Sequence, residues 1–203
     1  APGSATRDMF LKGGRPDDTL SRDTGLAVAT PGLVAGLRLV HTRHGRLPWA
    51  RVVLPAARLA AKGCVVDVTT AAAIVKSEKR LSEAARALLL PGGVPLAAGQ
   101  TLVQPALGRT LRIIARDGGE SFYHGATAAH LVRTVQAASG SLRESDLAAY
   151  RPVVRTPLQG HFQGYDVVTM PPPSAGGVQL LQMLHVLEHF PLAAWGYGAA
   201  AGV

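Results

Sequence analysis

Apolar residues recur at helical spacing over most of the chain and give way to short β-branched runs only near its end. Leu33, Leu37 and Val40 fall at i, i+4 and i+7, which puts them on one face of a helix that opens after Pro31-Gly32. Gly45 follows where a left-handed C-cap would sit. A second helix is predicted over residues 48–62, with Val52, Ala56 and Leu59 in line and Gly63 closing it. Pro55 is expected to interrupt or kink that run, because it lacks the N–H that the helical ladder needs. Residues 69–90, rich in alanine and charge, read as helical up to the loop forced by Pro91, Gly92, Gly93 and Pro95. Pro105 suits the first turn of the next helix, where Leu107, Leu111 and Ile114 share a face before Gly118 and Gly119. A further helix is predicted over 126–139 with Leu131 and Val135 inward, and a short helical turn over 145–150.

The period then changes. Residues 153–155, 158–162 and 165–170 are short, β-branched or aromatic, and broken by Pro157, Gly160 and Gly164, which predicts strands and a hairpin between the last two. Pro171-Pro172-Pro173 stops the chain, and a helix over 178–190 follows, apolar at Leu180, Leu181, Leu184 and Leu187. At the other end, residues 11–30 carry Gly13, Gly14 and Pro16 without helical period. The expected organisation is an extended lead-in over 1–30, a helical lobe over 31–150, and a β-hairpin with its following helix over 151–203. The fold class is α+β, mostly helical with one small antiparallel β element, and no repeat of fixed period occurs.

Composition narrows the function classes. With 47% hydrophobic and 17% charged residues the 203-residue chain has globular usage, and disorder is excluded. The net charge of +8 admits an acidic partner, but the arginines are dispersed among apolar residues, with no basic block or aromatic–basic interleaving to track a phosphate backbone, so no nucleic-acid role is expected. The one cysteine, Cys64, lies between Gly63 and Val65 with no His or Lys beside it. It is expected to be a small buried hydrophobe. No run of about 18 apolar residues suits a membrane span, and residues 1–8 do not have the form of a signal peptide.

Two segments carry candidate chemistry. His185-Val186-Leu187-Glu188-His189 fits the H-x-x-E-H pattern of inverted zinc peptidases, with histidines at i and i+4 and a Glu to activate water. Residues 191–203 supply no Asp, Glu, His or Cys as a third ligand, so the reading preferred is a helix whose His185, Glu188 and His189 face solvent, and no metal is expected. Ser174-Ala175-Gly176-Gly177 follows a strand and opens a helix, where free backbone N–H groups can receive an anion. The simpler reading is an N-cap serine with glycines that permit close packing. No nucleophile with its base can be assembled from spacing alone.

Taken as whole strings, several segments resemble the gamma-glutamyltranspeptidase family. These are Ala5-Thr6-Arg7-Asp8-Met9-Phe10, Thr30-Pro31-Gly32-Leu33-Val34-Ala35-Gly36, and Leu54-Pro55-Ala56-Ala57-Arg58-Leu59-Ala60 with Gly63. Residues 100–107 follow, with Gln100 in place of an acidic residue, then Phe122-Tyr123-His124-Gly125, Leu147-Ala148-Ala149-Tyr150 and Gly164-Tyr165. Met170-Pro171-Pro172-Pro173-Ser174-Ala175-Gly176-Gly177 completes the series, with Ala175 in place of a usual serine. Residues 69–90 and 199–203 follow the family pattern less well.

The resemblance implies a piece of the large subunit of a self-cleaving precursor of the N-terminal nucleophile hydrolases, whose full fold is an αββα sandwich. It further implies a threonine nucleophile at the start of the small subunit, whose α-amino group, with an ordinary pKa near 7.7–8, serves as base. Glutathione and other γ-glutamyl compounds are the implied substrates, the small subunit is the implied partner, and no cofactor is needed. No catalytic residue carries over to this chain. Ser174, Gly176 and Gly177 are the residues expected to lie nearest the substrate. The resemblance also implies an exported parent, periplasmic or secreted, and a 203-residue piece that is inactive by itself.

Overall fold

The computed structural model describes residues 1–196 and residue 198, so Tyr197 and residues 199–203 of the expected C-terminal segment lie outside the described residues. The chain divides into two compact units, Ala1–Pro152 and Val153–Val203.

The first unit begins with an antiparallel pair, β1 (Leu11–Lys12) and β2 (Arg15–Pro16), followed by α1 (Asp18–Arg22). The expected extended lead-in thus contains a small hairpin and a short helix. Asp17 caps that helix by accepting from the Thr19 amide at 2.8 Å, a local signal that periodicity does not register. Then come α2 (Leu33–His44), α3 (Trp49–Lys62), β3 (Cys64–Val65), α4 (Val68–Ser77) and α5 (Glu83–Leu89). The helical stretch expected over 69–90 consists of two helices, separated by a 3₁₀ turn at Glu78–Arg80 and restarted by Ser82, whose hydroxyl accepts from the Ala85 amide. Strand β4 (Thr101–Leu102) pairs with β3, and α6 (Pro105–Asp117), α7 (Glu120–His124), α8 (Ala126–Ala137) and α9 (Glu144–Ala148) complete the unit.

Three sequence expectations need correction here. Gly45 ends α2 at φ −71° and ψ 134°, an extended rather than a left-handed conformation. Pro55 lies inside α3, which runs through it: its side faces solvent, where the carbonyl it leaves unpaired can be hydrated. Cys64 is exposed, because both positions of its two-residue strand lie open among the described residues.

Two apolar clusters hold this unit. Tyr123, Ala128, Val132, Val135, Leu142 and Leu147 form one, joined by Val34 and Ala35 from α2, and Leu142 and Leu147 are fully enclosed. Each of these leucines contributes roughly 1.5–3 kcal/mol by burial. Val66, Ile74, Leu90 and Leu96 form the other. Helices α3 and α6 pack closely on small residues: a β-carbon at Gly108 would sit 3.1 Å from that of Ala61. Trp49 ties the same pair by donating its indole N–H to the Ile114 carbonyl at 2.8 Å.

The second unit is the predicted hairpin with its helix. Strands β5 (Leu158–Phe162) and β6 (Tyr165–Thr169) pair antiparallel from Leu158 opposite Thr169 to Phe162 opposite Tyr165, and α10 (Ala175–Leu187) packs on β5, where Leu181 meets Gly160. A last turn, α11 (Leu192–Trp195), follows. Residues 153–155 form no strand: Val153 and Val154 are exposed between Pro152 and Pro157, and among the described residues no strand pairs with them. The class is as expected, mostly helical with small antiparallel sheets.

Candidate functional site

The strand–turn–helix passage at residues 170–177 is the site that sequence reasoning singled out. Strand β6 ends at Thr169, the Ser174 amide donates to the Pro171 carbonyl at 3.2 Å, and α10 starts at Ala175. Ser174 occupies the N-cap position in an extended conformation, φ −70° and ψ 121°, yet its hydroxyl makes no capping bond, which departs from the N-cap serine reading. The first turn of α10 thus has no side-chain cap, and Ser174 and Gly176 are exposed beside it.

The two glycines differ in what requires them. A β-carbon on Gly176 would meet only the Ser174 hydroxyl, 3.8 Å away, whereas one on buried Gly177 would fall onto the backbone of Met170. Gly177 lets the helix start press against the strand end; Gly176 keeps the outer side of the turn bare. Such a turn can orient a carbonyl or carboxylate oxygen through backbone N–H groups. It contains no base to activate a nucleophile.

His185, Glu188 and His189 are exposed on and just beyond α10. The His189 Nδ1 donates to the His185 carbonyl at 2.9 Å, and the two rings meet edge to face with centroids 5.4 Å apart. Among the described residues, no group of three or more His, Cys, Asp or Glu side chains is placed to hold a metal ion.

Sequence reasoning missed a polar depression of about 480 Å³ in the first unit, lined among others by Arg38, Thr42, Glu120, His124 and Tyr150. At its base the Tyr123 hydroxyl donates to the Pro31 carbonyl at 3.0 Å and accepts from the Ala35 amide at 3.1 Å. This fills the place of the missing cap of α2, whose N-cap residue is Gly32. Burial pushes the Tyr123 phenol above its ordinary 10.0, so the hydroxyl stays a neutral donor at working pH. Tyr150 stacks on Tyr123 with centroids 5.9 Å apart. The signal for this arrangement was α7, a five-residue helix too short to show a period between Gly118-Gly119 and Gly125.

Comparison with known proteins sets these features in a family. A family model described as gamma-glutamyltranspeptidase matches residues 1–203. The glutathione hydrolase proenzyme of Escherichia coli (strain K12) is 40% identical over 98% of this chain, covering 35% of that protein. The Acylase ACY 1 proenzyme of Pseudomonas sp. (strain V22) is 36% identical over 100% of the chain and 38% of its own length. The solved Helicobacter pylori gamma-glutamyltranspeptidase superposes with a TM-score of 0.94 at 32% identity, over 98% of this chain and 58% of that one. The chain spans little more than a third of the length of these curated relatives. With the family pattern running from residue 1 to residue 203 and the same fold in a solved member, the chain belongs to the gamma-glutamyltranspeptidase family, an Ntn-hydrolase family.

Proposed function

We propose that the chain is an interior part of the large subunit of a γ-glutamyl-transferring precursor, and that the whole protein cleaves γ-glutamyl amides such as glutathione. The γ-glutamyl group passes to water or to an amino acid or peptide acceptor. The observation that carries this reading is a family match that runs unbroken through all 203 residues and takes in the 170–177 turn.

In this reading the reaction belongs to a threonine that begins the small subunit, with its α-amino group as base; an ordinary α-amino pKa near 7.7–8 suits proton transfer at neutral pH. The threonine oxygen attacks the γ-glutamyl carbonyl, the amine leaves with a proton, and an acceptor amine or water resolves the ester. No cofactor enters. This chain supplies shape: a helical lobe beside the reaction, with Ser174, Gly176 and Gly177 as its substrate-adjacent residues. The bare outer side of Gly176 and the uncapped first turn of α10 support that assignment. The parent protein is exported, to the periplasm or beyond, and by itself the 203-residue piece is inactive.

A second reading within the family is an acylase that takes a glutaryl or cephalosporin-type acyl chain, favoured by the full-length match of this chain to the Pseudomonas acylase. Purified gene product carrying this chain discriminates the two. The proposal expects cleavage into two polypeptides and faster turnover of a chromogenic γ-glutamyl anilide than of the matching glutaryl anilide, with added dipeptide acceptor raising the rate. Preference for the glutaryl compound would favour the acylase.

A further inference from the structure

The H-x-x-E-H run at residues 185–189 has no part in the proposed reaction. Its two histidines stand one helical turn apart, and the backbone keeps them there. Helix α10 ends at Leu187, but Glu188 continues with helical angles, φ −63° and ψ −22°, so His185 and His189 remain on one face. Both side chains are exposed, and their rings meet edge to face with centroids 5.4 Å apart. His189 donates its Nδ1–H to the His185 carbonyl at 2.9 Å. In the neutral ring that bond fixes the tautomer and leaves the Nε2 lone pair for a ligand; metal-bound imidazoles are oriented in the same way. Other histidines are committed elsewhere: the His41 Nε2 bonds to the Leu47 carbonyl at 2.8 Å, and the His161 Nδ1 lies 2.9 Å from the Asp166 carboxylate.

Two electrostatic features favour a cation here. The last carbonyls of α10 form the negative end of the helix dipole, and no lysine or arginine lies in that turn to offset it. The positive charge of the chain also lies elsewhere: Arg155 is the only lysine or arginine of residues 153–203, which include the carboxylates of Asp166 and Glu188. We propose that His185 and His189 form a two-histidine site for a divalent transition metal, Cu²⁺ before Ni²⁺ or Zn²⁺, with water in the remaining positions. Imidazole suits these ions, whereas Mg²⁺ and Ca²⁺ take oxygen ligands. A peptidase-type zinc needs a third protein ligand, which residues 191–203 do not supply; a two-histidine site completed by water does not need one. The bound ion acts as a clamp. It ties residue 185 to residue 189 at the end of a helix whose first turn has no side-chain cap.

The test uses the full-length gene product with Cys64→Ser, which removes an exposed thiol that would take the same metals. Calorimetric titration with Cu²⁺, Ni²⁺, Zn²⁺ and Mg²⁺ is expected to show Cu²⁺ the tightest and Mg²⁺ silent. His185→Asn and His189→Asn are each expected to weaken Cu²⁺ binding by about tenfold or more, because the second imidazole binds as an intramolecular ligand. His130→Asn, at an exposed position on α8, is expected to change nothing. Unchanged binding in the double variant of His185 and His189 overturns the proposal, and so does a Cu²⁺ Kd weaker than about 1 mM in the parent. Diethyl pyrocarbonate modification, mapped by peptide mass spectrometry, reads the same site without any histidine substitution. Cu²⁺ is expected to protect His185 and His189 and to leave His130 reactive; equal protection of all seven histidines would mark adventitious binding and overturn the site. Neither readout uses γ-glutamyl turnover, so the metal site stands or falls separately from the proposed reaction.

Discussion

A β-carbon on Gly177 would fall on the carbonyl oxygen of Met170, so the first turn of α10 and the residue that follows β6 touch backbone to backbone. The neighbouring Gly176 has no such constraint. Gly177→Ala is predicted to destabilise the protein by about 1–3 kcal/mol, since neither backbone segment can yield as a flexible side chain would. Gly176→Ala is predicted to be neutral or stabilising by up to about 1 kcal/mol, as alanine restricts the unfolded chain. Denaturant titration of the two variants checks the contrast, and equal effects would contradict it.

Tyr123 links α7 to the start of α2 through one hydroxyl. Tyr123→Phe leaves the Ala35 amide and the Pro31 carbonyl without that partner and is predicted to cost about 1–3 kcal/mol. The raised phenol has a second consequence. Its contribution is complete below the ordinary 10.0 and is lost as pH rises through the higher native value, because the unfolded chain ionises first. Ultraviolet titration of the native protein is expected to show a tyrosine that ionises above 10.0 and is absent from the Tyr123→Phe variant.

At the other end of the pH scale, the Thr70 amide bonds to the Asp67 carboxylate at 2.6 Å and holds it below the ordinary 3.8. This contribution is present above 3.8 and is lost as pH falls through the depressed native value. Asp67→Asn keeps a cap for α4 but does not titrate there. The stability difference between wild type and variant is therefore predicted to be constant near neutrality and to change only below about pH 5, in the direction of wild-type loss. A difference that grows in favour of wild type on acidification would contradict the assignment.

Leu147 is fully enclosed and Leu33 is 73% exposed. Leu147→Ala is predicted to cost about 2–5 kcal/mol wherever it is measured. Leu33→Ala, at an open position on α2, is predicted to cost less than about 1 kcal/mol in the same 203-residue chain. Thermal melts of the two variants of this chain read the contrast, and equal losses would contradict it.

These contrasts also mark what was legible in the sequence. Pro105 and Gly118 bracket α6 and are read correctly, because each acts through its own backbone conformation. The β5–β6 hairpin is legible from its β-branched and aromatic runs around Gly164. Strand pairing over 153–155 and burial of Cys64 fail as expectations, because both depend on a neighbour the local sequence does not encode. The split of residues 69–90 turns on one serine cap, and α7 is too short to show a period. At the candidate site the strand–turn–helix path was readable, while the contact that requires Gly177 joins it to Met170 at the strand end and has no local signature. Periodicity placed Leu33, Leu37 and Val40 on one face; it could not say that this face is open among the described residues.

The central claim is that this chain shapes a γ-glutamyl-transferring enzyme without carrying its nucleophile. It is tested most directly by trapping the acyl-enzyme of the purified gene product with a γ-glutamyl donor and mapping the adduct by peptide mass spectrometry. The account predicts one γ-glutamyl group on the N-terminal threonine of the smaller polypeptide and none on any residue of this chain; an adduct on Ser174, or on any other side chain among these 203 residues, would contradict it.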